Sequence, residues 1–389
     1  MQKKKIVILG STGSIGENAV RIAEHLPEEL EVVGLVANRN VNRLAEQARQ
    51  LNCPYVVTAD ETLLPELSSR CPDSCTASAG DQAVIDLVTR DEVDMVLAAI
   101  VGTAGLLPVL SAVRAGKDIA LASKEVLVMA GGIVMAEVEK YNVKMLPVDS
   151  EHSALFQCLE GKKHSDVSRL ILTASGGSFR NATLDEMRNA GYETALAHPT
   201  WKMGPKVTID SASLMNKALE IVEAHWLFDI PGDKIDVVIH PQAVIHSMVE
   251  FVDGTILSQM STPDMRFPIQ YALTYPFKHV GSLKPLDFQK FSNLTFEMPD
   301  REKFPSLDFA YDALAVGGTL PCVMNAANEV AVAAFSEDKI RFTDIWSVIE
   351  SVMNSHKTVT APSLDEIFDA DAAARVRASE LVDKLKINI

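Results

Sequence analysis

Two short stretches of the sequence set acids, hydroxyls and a lysine at spacings suited to chemistry on an anionic substrate. The first is Val148-Asp149-Ser150-Glu151-His152, which closes the apolar run VKMLPV. In extended backbone, residues two apart project to the same side, so Asp149 and Glu151 can point at one spot. Two like charges so placed repel unless a cation lies between them. Carboxylate oxygens suit a hard divalent ion such as Mg²⁺ or Mn²⁺. Helix capping is the competing reading, with Asp149 or Ser150 capping a helix that starts near Ser153 and Glu151 in its first turn. On this stretch alone the two readings are equally good.

The second stretch, IDSASLMNKALEIVEAHWLF from Ile209, favours the metal. Asp210 or Ser211 is expected to cap a helix on which Asn216 and Lys217, four and three residues before Glu220, share its face. A hydroxyl, an amide and a lysine near a helix N-terminus make a phosphate receptor. Glu220, one turn on, could complete a three-carboxylate metal site. A surface Lys–Glu pair is the plain alternative. HPTWKMGPKV, residues 198–207, has the composition of a lid: Trp201 and Met203 can cover a ligand while His198 and Lys206 bring positive character. An ordinary ordered loop has the same composition. His240 and His246 share strand parity, and His240 reads as a satisfied core histidine.

A third motif points to a dinucleotide. Gly10-Ser11-Thr12-Gly13-Ser14-Ile15-Gly16 follows the first apolar run, KIVIL, and runs into a helical pattern. Glycines there allow a tight turn and let backbone N–H groups approach a pyrophosphate at the helix N-terminus. A glycine turn without a ligand is the alternative. At the end of the second strand, where NAD enzymes usually carry an acid, the chain has Ala37-Asn38-Arg39-Asn40. An arginine and two amides suit the 2′-phosphate of NADPH, unless Arg39 is a solvated loop residue.

The elements that must position these residues are legible. Over the first 145 residues, β-branched runs (KIVILG, EVVGLVA, PYVVT, DMVLAAI, DIALA, VKMLPV) alternate with helical patterns, which predicts βαβ units in a doubly wound, Rossmann-like parallel sheet. A central α/β part follows, with strands in LILTAS and DVVIHPQAVIHSMVEFVDGTILSQM, a hairpin turn at Asp253-Gly254 and a capping box at Thr183 and Glu186. Residues 275–305, punctuated by prolines, read as a linker, and from Leu307 the pattern is helical, with a second capping box at Ser363 and Glu366. The expected parts are thus 1–148 for NADPH, a central part over 149–274 with the metal site and the lid at 198–207, the linker 275–305, and a helical tail over 306–389.

Composition bounds the function. A net charge of −16 argues against a general nucleic-acid or anionic-membrane surface, so an anionic substrate needs a local basic pocket. The apolar stretch after the basic start is too short for a signal peptide. The run from Met95 is broken by two glycines, a threonine and a proline, and reads as strand, loop and helix rather than a membrane span. Five cysteines form no CxxC pair and no zinc pattern, which predicts a reducing, cytoplasmic setting. Two rivals remain. A semialdehyde dehydrogenase needs a nucleophilic cysteine, and no cysteine here has the sequence context for one. A non-catalytic NADP sensor has no use for the acid and lysine constellation.

GSTGSIG, ANRN, ASKE (122–125), VDSEHSALFQ, TASGGSF (173–179), HPTWKMG, DSASLMNKALE, HPQAVIHSMVEF, DMRFPIQYAL and NAANE together resemble the 1-deoxy-D-xylulose 5-phosphate reductoisomerases, essentially end to end. The resemblance implies NADPH-dependent conversion of that sugar phosphate to 2-C-methyl-D-erythritol 4-phosphate, in isoprenoid precursor synthesis, by retro-aldol and aldol rearrangement and then hydride delivery. It implies one Mg²⁺ or Mn²⁺ per subunit on Asp149, Glu151 and Glu220. Substrate would be held by Lys124, Ser150, Glu151, Ser175, His198, Ser211, Asn216, Lys217 and Glu220. Of these, Lys124, Glu151, His198 and Glu220 are implied as catalytic. NADPH would meet Thr12, Gly13, Ser14, Ile15, Asn38, Arg39, Asn40, Ser123, Glu125 and Gly204. A homodimer with a C-terminal helical bundle is implied as well. The chain departs from the family pattern at three positions: Ser123 where an asparagine is common, Pro205 where a basic residue is common, and Asn38 where a glycine is often found.

Overall fold

β-Branched runs buried on both faces build a parallel sheet in the first half of the chain. The structure, a computed structural model, describes residues 3–385. Its first sheet contains β1 (Lys4–Leu9), β2 (Leu30–Ala37), β3 (Tyr55–Thr58), β4 (Thr76–Ala79), β5 (Met95–Ala98), β6 (Asp118–Leu121) and β7 (Met145–Pro147). The order is β4-β3-β2-β1-β5-β6-β7 and every pairing is parallel. Ile6 to Leu9 have no exposed surface, as a central parallel strand requires. The strand order reverses at β1, so the crevice beyond β1 and β5 is the topological switch point where ligands bind. β4, sequence Thr76-Ala77-Ser78-Ala79, escaped the apolar pattern because it is an edge strand with polar positions.

The connecting helices are α1 (Ser14–His25), α2 (Val41–Leu51), α3 (Leu64–Arg70), α4 (Asp81–Val88), α5 (Leu106–Arg114), α6 (Glu125–Tyr141) and α7 (Ser150–Leu159). The run from Met95 is β5, a loop and α5, and no helix among the described residues is long and apolar enough to cross a membrane.

By contacts the chain forms two compact units, Met1–Val126 with Val134–Ser153 and Asp264–Pro285, and Leu127–Ile133 with Ala154–Pro263 and Leu286–Ile389. The division passes through α6, where Ala130 leaves helical geometry, and through α7 after Ser153.

The second unit has a four-stranded sheet of β8 (Val167–Ala174), β9 (Ile235–Ile239), β10 (Ile245–Phe251) and β11 (Ile256–Met260), in the order β11-β10-β8-β9. β10 runs antiparallel to β8 and β11, and Asp253-Gly254 makes the expected hairpin turn, Asp253 accepting from the Thr255 N–H. Its helices are α8 (Leu184–Arg188), α9 (Tyr192–Leu196), α10 (Pro205–Ser213) and α11 (Met215–Phe228). After α12 (Arg266–Thr274), which belongs to the first unit, come α13 (Ser306–Val316), α14 (Leu320–Ser336), α15 (Asp344–Ser355) and α16 (Leu364–Leu385). Both capping boxes form, at Thr183–Glu186 and at Ser363–Glu366. Phe179, Phe335, Phe342 and Trp346 stack edge to face in the core, joining the sheet layer to these last helices.

Candidate active site

The glycine loop sits where the fold requires it. Gly13 is the N-cap of α1 and lends no side-chain cap, so the first turn of α1 offers N–H groups at an exposed end. A Cβ on Gly16 would come within 2.3 Å of the Gly10 carbonyl oxygen, so only glycine lets α1 pack this close to the turn. Gln47 of α2 holds the loop from behind: its Nε2 donates to the Ser11 carbonyl at 2.9 Å and to Glu17 at 3.0 Å.

The cofactor-discriminating segment follows β2. Arg39 is exposed and its Nε lies 3.2 Å from Asp60 Oδ2. Asp60 belongs to the turn after β3, which the parallel sheet brings beside the end of β2. Sequence reasoning found no acid near Arg39 because this one is 21 positions away. Asn40 caps α2 by accepting from the Arg43 N–H, and the Asn38 carbonyl accepts from Thr58 Oγ1 at 2.6 Å.

Ser123, Lys124 and Glu125 run from the end of β6 into α6, and all three are buried. The Ser123 hydroxyl donates to the Ile100 carbonyl at 2.5 Å and lies 3.2 Å from that of Ala98, so it ties down the end of β5. Lys124 forms an ion pair with Asp149.

Ser150 and Glu151 lie in the first turn of α7, not in extended backbone. That corrects the parity argument and moves the helix start three residues earlier than Ser153. The Asp149 carbonyl accepts the first intrahelical bond, from the Ser153 N–H at 2.8 Å. Helix capping and metal binding therefore cease to be alternatives. The helix N-terminus stabilises the two carboxylates and Lys124 offsets one of them, without using up their capacity to ligate. Ser150 Oγ donates to Glu151.

In the second unit, Asn216 and Lys217 stand in the first turn of α11 and both donate to Glu220, which has no exposed surface. The helix-face reading holds, and Lys217 itself is 3% exposed, so the pair is not a surface one. The expected cap does not: Asp210 and Ser211 lie inside α10, and α11 begins instead after Leu214, whose left-handed φ of 60° turns one helix into the next.

Ser175 and His198 are brought together. His198 Nδ1 accepts from the backbone N–H groups of Thr200 and Trp201 at 3.1 and 2.9 Å, so the proton of the neutral ring is on Nε2, 3.0 Å from Ser175 Oγ. Burial holds the His198 pKa below the usual histidine range. Ser175 leads into Gly176 and Gly177, and a Cβ on Gly177, whose φ is +65°, would lie 2.4 Å from the Ser211 carbonyl oxygen. This close approach sets the Ser175 turn against the end of α10 that carries Ser211.

The lid is shorter than expected. Only residues 198–204 are loop, because Pro205 takes the first position of α10, where its fixed φ and missing N–H cost nothing, and Gly204 is the N-cap. Trp201 is half-buried, with its ring 6.2 Å from that of His246. His246 is buried, meets Ser261 Oγ at 2.9 Å, and burial pushes its pKa down to about 4. His240 is buried as expected, with Nδ1 on the Thr295 carbonyl and its ring stacked on Phe296, but its buried Nε2 has no hydrogen-bond partner among the described residues, so it is a core histidine satisfied at one nitrogen only. All five cysteines are free thiols, and burial raises every one, Cys53, Cys75 and Cys322 to about 12 and Cys158 to about 11. Burial thus disfavours the thiolate that a semialdehyde dehydrogenase needs at every cysteine.

Residues 6–131 match the family model described as 1-deoxy-D-xylulose 5-phosphate reductoisomerase, 145–228 match that of its C-terminal domain, and 260–377 match the DXP reductoisomerase C-terminal domain. A 1-deoxy-D-xylulose 5-phosphate reductoisomerase of Chlorobium phaeobacteroides (strain BS1) is 49% identical over 384 residues, 98% of this chain and 100% of its own. The chain belongs to the 1-deoxy-D-xylulose 5-phosphate reductoisomerase family. Two solved reductoisomerases have the same fold. That of Zymomonas mobilis, in complex with NADPH, has a TM-score of 0.93 at 43% identity and covers 99% of this chain and 100% of its own. A second, in complex with NADPH, fosmidomycin and magnesium, has a TM-score of 0.92 at 37% identity and covers 98% and 99%. As a member of the reductoisomerase family the chain is an enzyme, which sets aside the reading as a non-catalytic sensor.

Proposed function

We propose that this chain carries out its family's reaction, NADPH-dependent rearrangement and reduction of 1-deoxy-D-xylulose 5-phosphate to 2-C-methyl-D-erythritol 4-phosphate, with the residue roles that follow. One observation carries those roles: Glu220 is a fully buried carboxylate met by the amide of Asn216 and the ammonium of Lys217 on one helix face. A buried carboxylate needs such partners, and buried charged clusters of this kind concentrate at functional sites.

The donor set fits the groups the reaction needs. Asp149, Glu151 and Glu220 would hold Mg²⁺ or Mn²⁺, because three carboxylates are an all-oxygen set for a hard cation. A cation bound there supplies Lewis-acid stabilisation of negative charge on the substrate's carbonyl and hydroxyl oxygens. Thr12, Gly13, Ser14 and Ile15 would bind the NADPH pyrophosphate, and Gly16 keeps that loop against α1. Asn38, Arg39 and Asn40 would take its 2′-phosphate, with Ser123, Glu125 and Gly204 as further contacts.

The remaining roles belong to the chain's own side chains. Ser175, Ser211, Asn216 and Lys217 bind the substrate phosphate, whose dianion is the other acceptor these donors suit. Anchoring that end holds the reacting end in place. His198 presents the Nε2 proton to a substrate oxygen, and its neutral state leaves that proton in place at neutral pH. Lys124 and Ser150 orient the substrate oxygens, and Trp201 covers them and excludes water.

The domain roles are 1–148 for NADPH, 149–274 for catalysis and dimerisation, 275–305 as linker and 306–389 as helical bundle. The enzyme works as a homodimer in the cytoplasm, where its five thiols stay reduced. Support for the dimer is β11, which pairs on one side only and exposes Ile256 and Leu257. The test is NADPH oxidation with 1-deoxy-D-xylulose 5-phosphate, with and without EDTA. Turnover that EDTA stops and Mg²⁺ or Mn²⁺ restores is expected, and turnover indifferent to EDTA would overturn the metal assignment.

A further inference from the structure

The C-terminal helices hold the corner on which the phosphate-binding residues stand. α10 ends at Ser213 and α11 starts at Met215, so a single residue, Leu214, joins the helix carrying Ser211 to the helix carrying Asn216 and Lys217. Leu214 is in the left-handed region, φ 60° and ψ 10°, where a branched side chain stays only if its surroundings hold it. Its side chain is buried, and Ala218 N–H closes the first turn of α11 on its carbonyl at 3.0 Å, but the hydrogen bonds across the turn itself are long. Leu214 N–H reaches the Ser211 carbonyl at 3.2 Å and Met215 N–H reaches Ser213 Oγ at a long 3.4 Å.

The firm contacts come from far along the chain. Ser306 Oγ, in the first turn of α13, donates to the Ser213 carbonyl at 2.7 Å. Trp346 Nε1, on α15, donates to Ser306 Oγ at 2.8 Å and lies 3.4 Å from the same carbonyl. Asn328, on α14, donates to Asp210 Oδ1 at 3.0 Å, one turn before the corner. Ser213, Ser306, Asn328 and Asp210 are all at most 1% exposed, so water cannot replace these bonds. The indole is fixed in turn by Phe304 and Phe342, both edge to face with it.

We infer that Ser306 and Trp346 are positioning residues for substrate phosphate: through the Ser213 carbonyl they set the α10–α11 corner so that Ser211 and the Asn216–Lys217 pair converge on one anion. This rests on the phosphate roles proposed above. The test compares Ser306→Ala, Ser306→Thr, Trp346→Phe and Lys217→Ala in the full-length enzyme, with melting temperatures as control. Ser306→Ala and Trp346→Phe are expected to raise KM for 1-deoxy-D-xylulose 5-phosphate about tenfold, with kcat and KM for NADPH within about twofold of the parent, and Ser306→Thr is expected to restore the parent KM. Unchanged kinetics, a fall in kcat at constant KM, or a parallel rise in both KM values would overturn the inference. Lys217→Ala separates the two readings. If it leaves the sugar-phosphate KM unchanged, the phosphate assignment itself fails; if it raises that KM while Ser306→Ala does not, only the positioning role fails. Should Trp346→Phe unfold at the assay temperature, Ser306→Ala and its threonine rescue decide alone.

Discussion

His198 Nε2 lies 3.0 Å from Ser175 Oγ, while the other ring nitrogen accepts two backbone N–H bonds from the lid. Those two bonds are made only by an unprotonated Nδ1, and burial adds to the same preference. His198 therefore stays neutral, as the Nε2–H tautomer, to a pH below that of an ordinary histidine. Nitrogen NMR of the ring should show this tautomer at pH 7 with a protonation midpoint below about 6.5. A cationic ring at pH 7 would contradict the role given to it.

His246 couples stability to acid. Its folded pKa of about 4 lies below the unfolded value near 6.5, so the unfolded chain takes up the proton first. The contribution of the neutral ring is complete above pH 6.5 and is lost as pH falls from there to about 4, by about 3 kcal/mol. Urea unfolding over that range should show this slope in the parent and its disappearance in His246→Gln, whose overall stability is set by lost packing instead.

Glu220→Gln keeps the shape and the bond to Asn216 but removes the charge. Its kcat should fall by more than the roughly 10–100-fold that loss of an outer-shell partner costs a metal site. NADPH affinity, measured by fluorescence titration, should persist. Near-normal turnover at saturating Mg²⁺ would contradict the assignment.

Arg39 has a surface partner in Asp60, and exposed ion pairs contribute little, so a 2′-phosphate can take the arginine over. Arg39→Ala should raise KM for NADPH about tenfold or more, the factor one charge-assisted hydrogen bond supplies, and leave KM for NADH unchanged. Asp60→Asn should leave NADPH affinity equal or improve it. An equal loss for both cofactors in Arg39→Ala would show that the arginine does not meet the 2′-phosphate.

Much of the site was legible in order along the chain. The glycine loop, the Asn216–Lys217–Glu220 face and both capping boxes are local patterns with a period or a spacing, and local geometry and hydrogen bonding realise them. Two local readings failed for reasons outside the segment. Ser150 and Glu151 became helical because α7 starts at once after β7, and Asp210 could not cap a helix because Pro205 had already begun one.

The sequence by itself determined which residues carry charge and which stretches form strands and helices, because side-chain chemistry and periodicity are properties of neighbouring residues. Only tertiary structure decided that Asp60 stands beside Arg39, that Ser175 meets His198 and that Ser306 and Trp346 grip Ser213, since residues separated by 21, 23, 93 and 133 positions meet only when sheets pair and helices pack. The physical reason is that these contacts join single polar atoms on separate elements, which leave no period in the sequence.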